Sequence, residues 1–574
     1  MTKKLFGIIP LVLIVLLAFS LRWWHIASVT PGISGDEVDY ALTAKSFYLS
    51  GTDLKNATHT FDVLRFVYPK TDDTKAELPY LIQMPFDGPF PFSLPLTRLP
   101  FVLMSVGSVL LLYGIAKELV DKKAGIAVGL LGSINPFLVV LGRTNYEVTG
   151  ATFFYLFAFF ALLKLKGWKI LLALPIFLCA FYVYIGTKVL FIPFLLLCVA
   201  CGYFYINKRK YAKQYGILLG ILFIFFTGYF VILHATPTNR LGELLTPNSK
   251  EIIAQVNSIR HTSLPSAFTS FVVNKYTIYL RTVTNSLFLI FSSDFLVSYG
   301  DNFFRLYNHG VMYFVDIVFL LASVVFFAKK KQSLGLYVLG FILIATLPQI
   351  LHDDAGNNTN YAHASLVFPF LIIASGIGIA YVVSLFPKKF ILVPGVCLLA
   401  LYALSLAFFM QAYFYQYSLD GRDDFVTREL ARYIVLAQSQ HKKIEVLSPI
   451  GATHFKKYLF YANALSAASM SKVKQAFIVS HMQLDNVSFG SCTNHPTFPK
   501  DIILIEDKIC GNDDFMHHSS IALIKDGGAA YKIYNDVLCA HYTLKPYPTD
   551  LTLDELAVEN LSTKDFCETF ITRN

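Results

Sequence analysis

Charge is scarce in this sequence: 15% of its 574 residues are Asp, Glu, Lys or Arg, against roughly a quarter in soluble domains. That deficit excludes an ordinary soluble globular protein. The chain has only 3 Trp, no Walker-type phosphate loop and no internal repeat. Without the phosphate loop, ATP-driven transport has no support. The tail lacks a Cys-x-x-Cys, so the usual spacing of a zinc site is missing there. The formal net charge is +10, yet the basic residues form no single patch, which argues against nucleic acid as a partner. They fall in short clusters between apolar runs, the pattern of cytoplasmic loops in membrane proteins.

What is present is apolar: 55% of residues are hydrophobic and mean hydropathy is +0.54, with 52 Phe and 33 Tyr. A span needs about 20 apolar residues to cross about 30 Å of hydrocarbon. Eleven segments qualify: 5–24, 96–116, 124–141, 149–165, 170–187, 188–206, 214–234, 310–328, 332–351, 361–386 and 390–413. The first ends in Arg22-Trp23-Trp24 without a small-x-small cleavage site and reads as an uncleaved span rather than a signal peptide. With the N-terminus in the cytoplasm, every cytoplasmic connection is short and basic: Lys3-Lys4, Lys117 to Lys123, Lys164 to Lys169, Lys208 to Lys213, Lys329 to Lys331 and Lys388-Lys389. The opposite connections, 25–95, 142–148, 235–309, 352–360 and the tail, are long or acidic. The positive-inside rule therefore predicts a plasma-membrane protein with an extracytoplasmic C-terminus. Residues 283–300 carry Ser292, Ser293 and Asp294 and would invert that orientation as a span, so they are expected to form an interfacial or re-entrant helix.

The expected fold is thus a polytopic α-helical membrane module over 1–413, with outer loops 25–95 and 235–309, followed by a small extracytoplasmic α/β domain over 414–574. Apolar runs at 444–447, 476–479, 502–505 and 521–524 read as strands, and 424–438 and 452–463 as helices. Four tail cysteines, Cys492, Cys510, Cys539 and Cys567, allow three pairings. Two disulfides are expected on an oxidising face, in the short-range pairing Cys492–Cys510 and Cys539–Cys567.

The chemistry-bearing candidates begin with Asp36-Glu37, about a dozen residues after the first span. Ser34-x-x-Glu37 is a capping box, and acids in a first helical turn favour the helix dipole. At a membrane interface such a carboxylate also serves as a general base when partly shielded from water. Capping by Glu37 and catalysis by Asp36 are compatible. The cluster His352-Asp353-Asp354 reads as a solvated loop rather than a metal site.

An Asp-Glu pair directly after the first span, many further spans and a C-terminal outer domain resemble the GT-C glycosyltransferases. The likeness is to dolichyl-phosphate-mannose protein mannosyltransferases and the bacterial lipid A aminoarabinose transferase. Arg98-Leu99-Pro100, Asn135-Pro136 to Arg143 with Glu147, Gly186-Thr187-Lys188, and Phe291 to Leu296 with Gly300-Asp301 and Gly310 resemble family stretches in order, over roughly residues 5–410. Two places depart. Asn360-Tyr361-Ala362-His363 lacks the family's arginine, and Glu147 stands where Asp is frequent.

The resemblance implies transfer of a sugar from a polyprenyl-phosphate donor to a protein, lipid or polysaccharide acceptor hydroxyl, with inversion and without a cofactor. Such chemistry needs a base for the attacking hydroxyl and cations for the departing phosphate. Asp36 is the expected base and Glu37 its alternate; Arg143, Glu147, Lys188, Arg305 and His363 are the expected phosphate- or substrate-binding residues. No Asp-x-Asp in the first loop and no Trp-Trp-Asp disfavour a metal-dependent oligosaccharyltransferase. The competing reading is a flippase or exporter of lipid-linked glycans, which the lack of inverted repeats disfavours.

Overall fold

The computed structural model describes residues 2–56, 76–234, 249–300, 309–351, 362–390, 392–417, 423–440, 442–492, 501–510, 518–522, 528–542 and 551–573. Helix α1 (Thr2–Trp23) leads to α2 (Gly35–Ser50) and α3 (Leu78–Asp87). Then come α4 (Leu94–Leu119), α5 (Lys122–Ile134), α6 (Pro136–Leu141) and α7 (Glu147–Lys164). Among the described residues seven helices are long and apolar enough to cross a membrane: α4, α7, Ile185–Tyr205, Arg209–Val231, Gln332–Ile350, Val367–Leu385 and Leu392–Gln416. Shorter apolar helices run over Ile8–Trp23 and Gly167–Val183. The protein is an integral membrane protein.

All eleven expected segments are mainly helical, but not all are single helices of spanning length. Segment 124–141 divides into α5 and α6 because Pro136 has no N–H to continue the ladder and its ring clashes with the preceding turn. Asn135 bridges the break: its Oδ1 accepts from the Leu138 amide at 3.2 Å and its Nδ2 donates to the Val311 carbonyl at 3.2 Å. Segment 170–187 opens with a 3₁₀ stretch, Gly167–Leu172, before the helix Ala173–Val183. Segment 283–300 is not among the helices of spanning length, and it is not one continuous helix. One helix starts earlier, at Lys275, and ends at Ile290, followed by a π-turn over Asp294–Ser298.

Helix Val367–Leu385 is the centre of the bundle, buried throughout from Val367 to Gly378. Its glycines let backbones meet: a Cβ on Gly378 would lie 1.9 Å from the Phe319 carbonyl oxygen. Small residues at helix contacts are how membrane bundles pack without a hydrophobic drive. Arg22, at the end of the first apolar segment, is fully buried. It donates to Ser105 Oγ at 2.7 Å and to the Ser133 carbonyl at 3.0 Å, tying α1 to α4 and α5.

The C-terminal region is a seven-stranded mixed sheet of β1 (Lys443–Leu447), β2 (Met482–Leu484), β3 (Val487–Gly490), β4 (Ile502–Asp507), β5 (Ser519–Ala522), β6 (Ala529–Tyr534) and β7 (Ile571–Arg573). Their order is β2-β3-β1-β4-β6-β5-β7, with β1 parallel to β3 and β4 and the other pairs antiparallel. Helices Asp423–Ala437 and Gly451–Tyr461 pack on it. Residues 476–478, expected as a strand, belong to helix Met470–Ile478, with Val479 just beyond it. Met470, Val473, Ala476 and Phe477 are buried at helical spacing, and a four-residue apolar run cannot reveal that longer period. Both disulfides form in the short-range pairing, Cys492–Cys510 and Cys539–Cys567.

Candidate active site

The turn that opens α2 separates its two acids. Ser34 is the N-cap; its Oγ accepts from the Glu37 amide and Glu37 Oε2 accepts from the Ser34 amide at 3.0 Å, closing the capping box. Glu37 is buried, and its Oε1 also accepts from the Asn145 amide at 3.0 Å and from Arg98 Nε at 3.4 Å. Asp36, one residue earlier, is exposed. The same helical turn therefore locks one carboxylate and presents the other.

Behind the turn, two fully buried arginines bind the chain that leads into it. Arg98 donates to the carbonyls of Ile26 at 3.1 Å, Thr30 at 3.0 Å and Gly32 at 2.7 Å. Arg143 donates to those of Leu21 and Arg22 at 3.0 Å, His25 at 3.2 Å and Val29 at 2.6 Å, while its guanidinium stacks 4.7 Å from the Phe414 ring. Burial lowers Arg143 to about 10, so it remains charged at neutral pH. Its Nη donors close the C-terminal end of α1, where orphan carbonyls need partners.

Glu147 begins α7 and reaches the same corner. Its carboxylate faces the buried Tyr40 phenol, and Asp36 acts on that phenol as well. Burial first, then Glu147, Tyr80 and Asp36, push the Tyr40 hydroxyl well above its usual range. Glu147 thus faces Tyr40 of α2, the helix whose first turn carries Asp36.

Lys188 lies in a different enclosure, almost fully buried. Its Nζ donates to both oxygens of Glu77, at 2.9 and 3.1 Å, and to the Tyr229 hydroxyl at 2.7 Å. The ammonium sits 4.7 Å from the Tyr229 ring centroid and 5.0 Å from that of Phe181. Four residues earlier in the chain, the Tyr184 hydroxyl is 2.9 Å from His363 Nδ1. The two enclosures are linked through α3: Glu77 is its N-cap, and Tyr80 one turn on packs 5.1 Å from Tyr40 of α2. Arg305 and the cluster at 352–354 lie outside the described residues.

Glu77, Tyr229 and Asp87 escaped the reading of the sequence. Glu77 stands before Leu78-Pro79, which signals a helix start and nothing more. Asp87 ends α3 fully buried, accepting from Thr97 Oγ1 at 2.6 Å. Burial raises its carboxyl to about 7, against the opposing pull of the Thr97 hydrogen bond and Lys45. Among the described residues no group of three or more His, Cys, Asp or Glu could hold a metal ion.

No protein-family model matches this chain, and no curated protein does. Solved structures are similar to it. One is the archaeal oligosaccharyltransferase AglB from Archaeoglobus fulgidus, in complex with an inhibitory peptide and a dolichol-phosphate. The match has 12% identity and a TM-score of 0.46, covering 88% of this chain and 70% of that one. Another is ArnT from Cupriavidus metallidurans bound to undecaprenyl phosphate, at 11% identity and a TM-score of 0.48, over 92% of this chain and 98% of that one. The apo state of ArnT matches at 12% identity and 0.47, over 91% and 97%. At this level of similarity the functional reading rests on this chain's own residues.

Proposed function

We propose that this protein is a GT-C-type integral-membrane glycosyltransferase. It moves a sugar from a polyprenyl-phosphate donor to an acceptor hydroxyl on the extracytoplasmic side, with inversion and Asp36 as general base. The observation that carries the reading is the split between adjacent acids. Glu37 is buried and fixed by its capping and Arg98 contacts, while Asp36 on the same turn is exposed at the surface.

In the proposed step the acceptor oxygen attacks the anomeric carbon as its proton passes to Asp36. The bond from that carbon to the phosphate oxygen breaks, and the polyprenyl phosphate departs. Lys188 is the cation assigned to the phosphate, since its present partners are side chains that a ligand can displace. His363, which contacts Tyr184, and Arg305 are kept as further candidates. Glu147, facing Tyr40, is assigned to substrate positioning. Arg143 is assigned to holding the turn, because its Nη donors are taken by carbonyls.

A cavity of about 310 Å³ opens beside Ala27, on the segment that leads to the turn, and is a candidate for acceptor entry. Phe92, Phe460 and Tyr461 give it aromatic walls, and Asn463 and Arg432 bring polar groups.

The test is Asp36→Asn in lipid-reconstituted protein, following release of label from a polyprenyl-phosphate hexose to lipid, peptide and polysaccharide acceptors. Loss of a general base is expected to slow transfer by about 10²- to 10⁴-fold. Wild-type rates in the variant would remove Asp36 as base. Donor translocation without transfer in the wild type would favour the exporter.

A further inference from the structure

The segment that delivers Asp36, residues 25–33, is gripped from two sides, and the second side is the C-terminal sheet domain. Arg98 and Arg143 take the carbonyls of His25, Ile26, Val29, Thr30 and Gly32 from the membrane module. The carbonyls they leave at Ala27 and Pro31 go to one guanidinium, that of Arg428 on helix Asp423–Ala437. It donates to Ala27 at 2.9 Å and also to Pro31. Arg428 is 2% exposed. Its remaining edge forms a fork on Glu559, with Nε at 2.8 Å from Oε1 and Nη2 on Oε2.

Other contacts reinforce the grip. The Ile33 amide donates to the Tyr461 hydroxyl at 2.8 Å, and Lys456 pairs with Asp39 of α2 at 2.7 Å. The chains approach so closely that a Cβ on Gly32 would lie 2.4 Å from the Asp424 carbonyl, so this position requires glycine.

We propose that the C-terminal domain is a working part of the active site, and that Arg428, with Tyr461, is a positioning residue that holds the Asp36 turn in its reactive placement. The inference rests on Asp36 being the base. A planar fork suits the task, because it bonds two carbonyls on one edge while a carboxylate fixes its orientation on the other. Burial works to raise the Glu559 carboxyl, but Arg428, through its charge and hydrogen bonds, leads the groups that hold it below the usual range. The fork therefore stays ionised at neutral pH. Small misplacement of a catalytic group is costly, a displacement of about 1 Å being enough to lose roughly 10²-fold in rate.

The test uses the full chain in lipid nanodiscs. Arg428→Gln is expected to lower kcat by about 10- to 100-fold with donor KM changed less than about twofold. Amide hydrogen exchange over Ile33–Val38 should accelerate at least about tenfold while β1, β4 and helix Gly451–Tyr461 keep their protection. Arg428→Lys should recover part of kcat, since an ammonium can still reach one carbonyl. Wild-type kcat and wild-type exchange over 33–38 in a folded Arg428→Gln protein would overturn the proposal. If Arg428→Gln does not fold, Tyr461→Phe decides, because it removes only the acceptor for the Ile33 amide. Faster exchange at 33–38 in that variant supports the grip, and unchanged exchange overturns it. Failure of the base assignment is read separately, from wild-type transfer by Asp36→Asn while the exchange result on Arg428→Gln still stands.

Discussion

Between His25 and Gly32 the buried arginines of the membrane module bond mainly backbone carbonyls, Arg98 adding one contact to Glu37, whereas at Lys188 the buried cation faces a carboxylate and a phenol. Carbonyls are fixed in place, carry no charge and cannot titrate, so Arg98 and Arg143 stiffen the chain they hold. Glu77 and Tyr229 are side chains with rotamers of their own, and a phosphate can replace a carboxylate on Lys188 because both are planar or tetrahedral anions with oxygen acceptors. On the proposed reading, buried positive charge builds a scaffold in one enclosure and a phosphate site in the other.

The comparison breaks most directly at Arg98. Replacement by Met leaves Glu37 buried without its cation and three carbonyls without donors, a loss of about 3–5 kcal/mol. Thermal unfolding in detergent should fall by several degrees or yield no folded protein; an unchanged midpoint would show that the strip does not depend on this guanidinium.

Asp87 sharpens the contrast, as a buried acid whose hydrogen-bond donor is a neutral hydroxyl. The folded protein keeps its proton to about pH 7, while the unfolded chain releases it near 3.8. The native state therefore binds more protons in between, and stability must fall as pH rises through that window, by up to about 4 kcal/mol. Asp87→Asn keeps an acceptor for Thr97 and should flatten this slope, measured as unfolding midpoints from pH 4 to 8. An equally steep slope in the variant would remove Asp87 as its source.

The smallest of the three effects is expected at Lys188. Lys188→Met should raise donor KM about 10- to 100-fold, or about 1.4–2.7 kcal/mol, with a smaller change in kcat. Equal donor KM in the variant and wild type would leave the cage as a structural pair alone.

Local features were legible. The Ser34-x-x-Glu37 box and the cysteine pairing are written in short stretches of chain and appear as expected, and the apolar segments are mainly helical, seven of them of spanning length among the described residues. What was illegible is long-range. Glu77 meets Lys188 across 111 positions and Arg428 meets Pro31 across 397, and no periodicity or spacing announces such contacts. The broken helix at Asn135-Pro136 was legible in principle, since proline marks the break, but hydrophobicity ran on through it. Residues 476–479 misled for the opposite reason: four apolar residues satisfy a strand and a helix face equally.

The two disulfides have a consequence for biosynthesis. Both staple the C-terminal domain, and Cys567 sits in the short helix Thr563–Phe570 near the end of the chain. The spans and α2 are synthesised long before these bonds can close, and the bonds persist only where thiols are kept oxidised. On the proposed role of Arg428, a nascent chain would carry Asp36 in an unsupported turn until the C-terminal domain had folded around its disulfides. Competence would then wait on the folding of that domain.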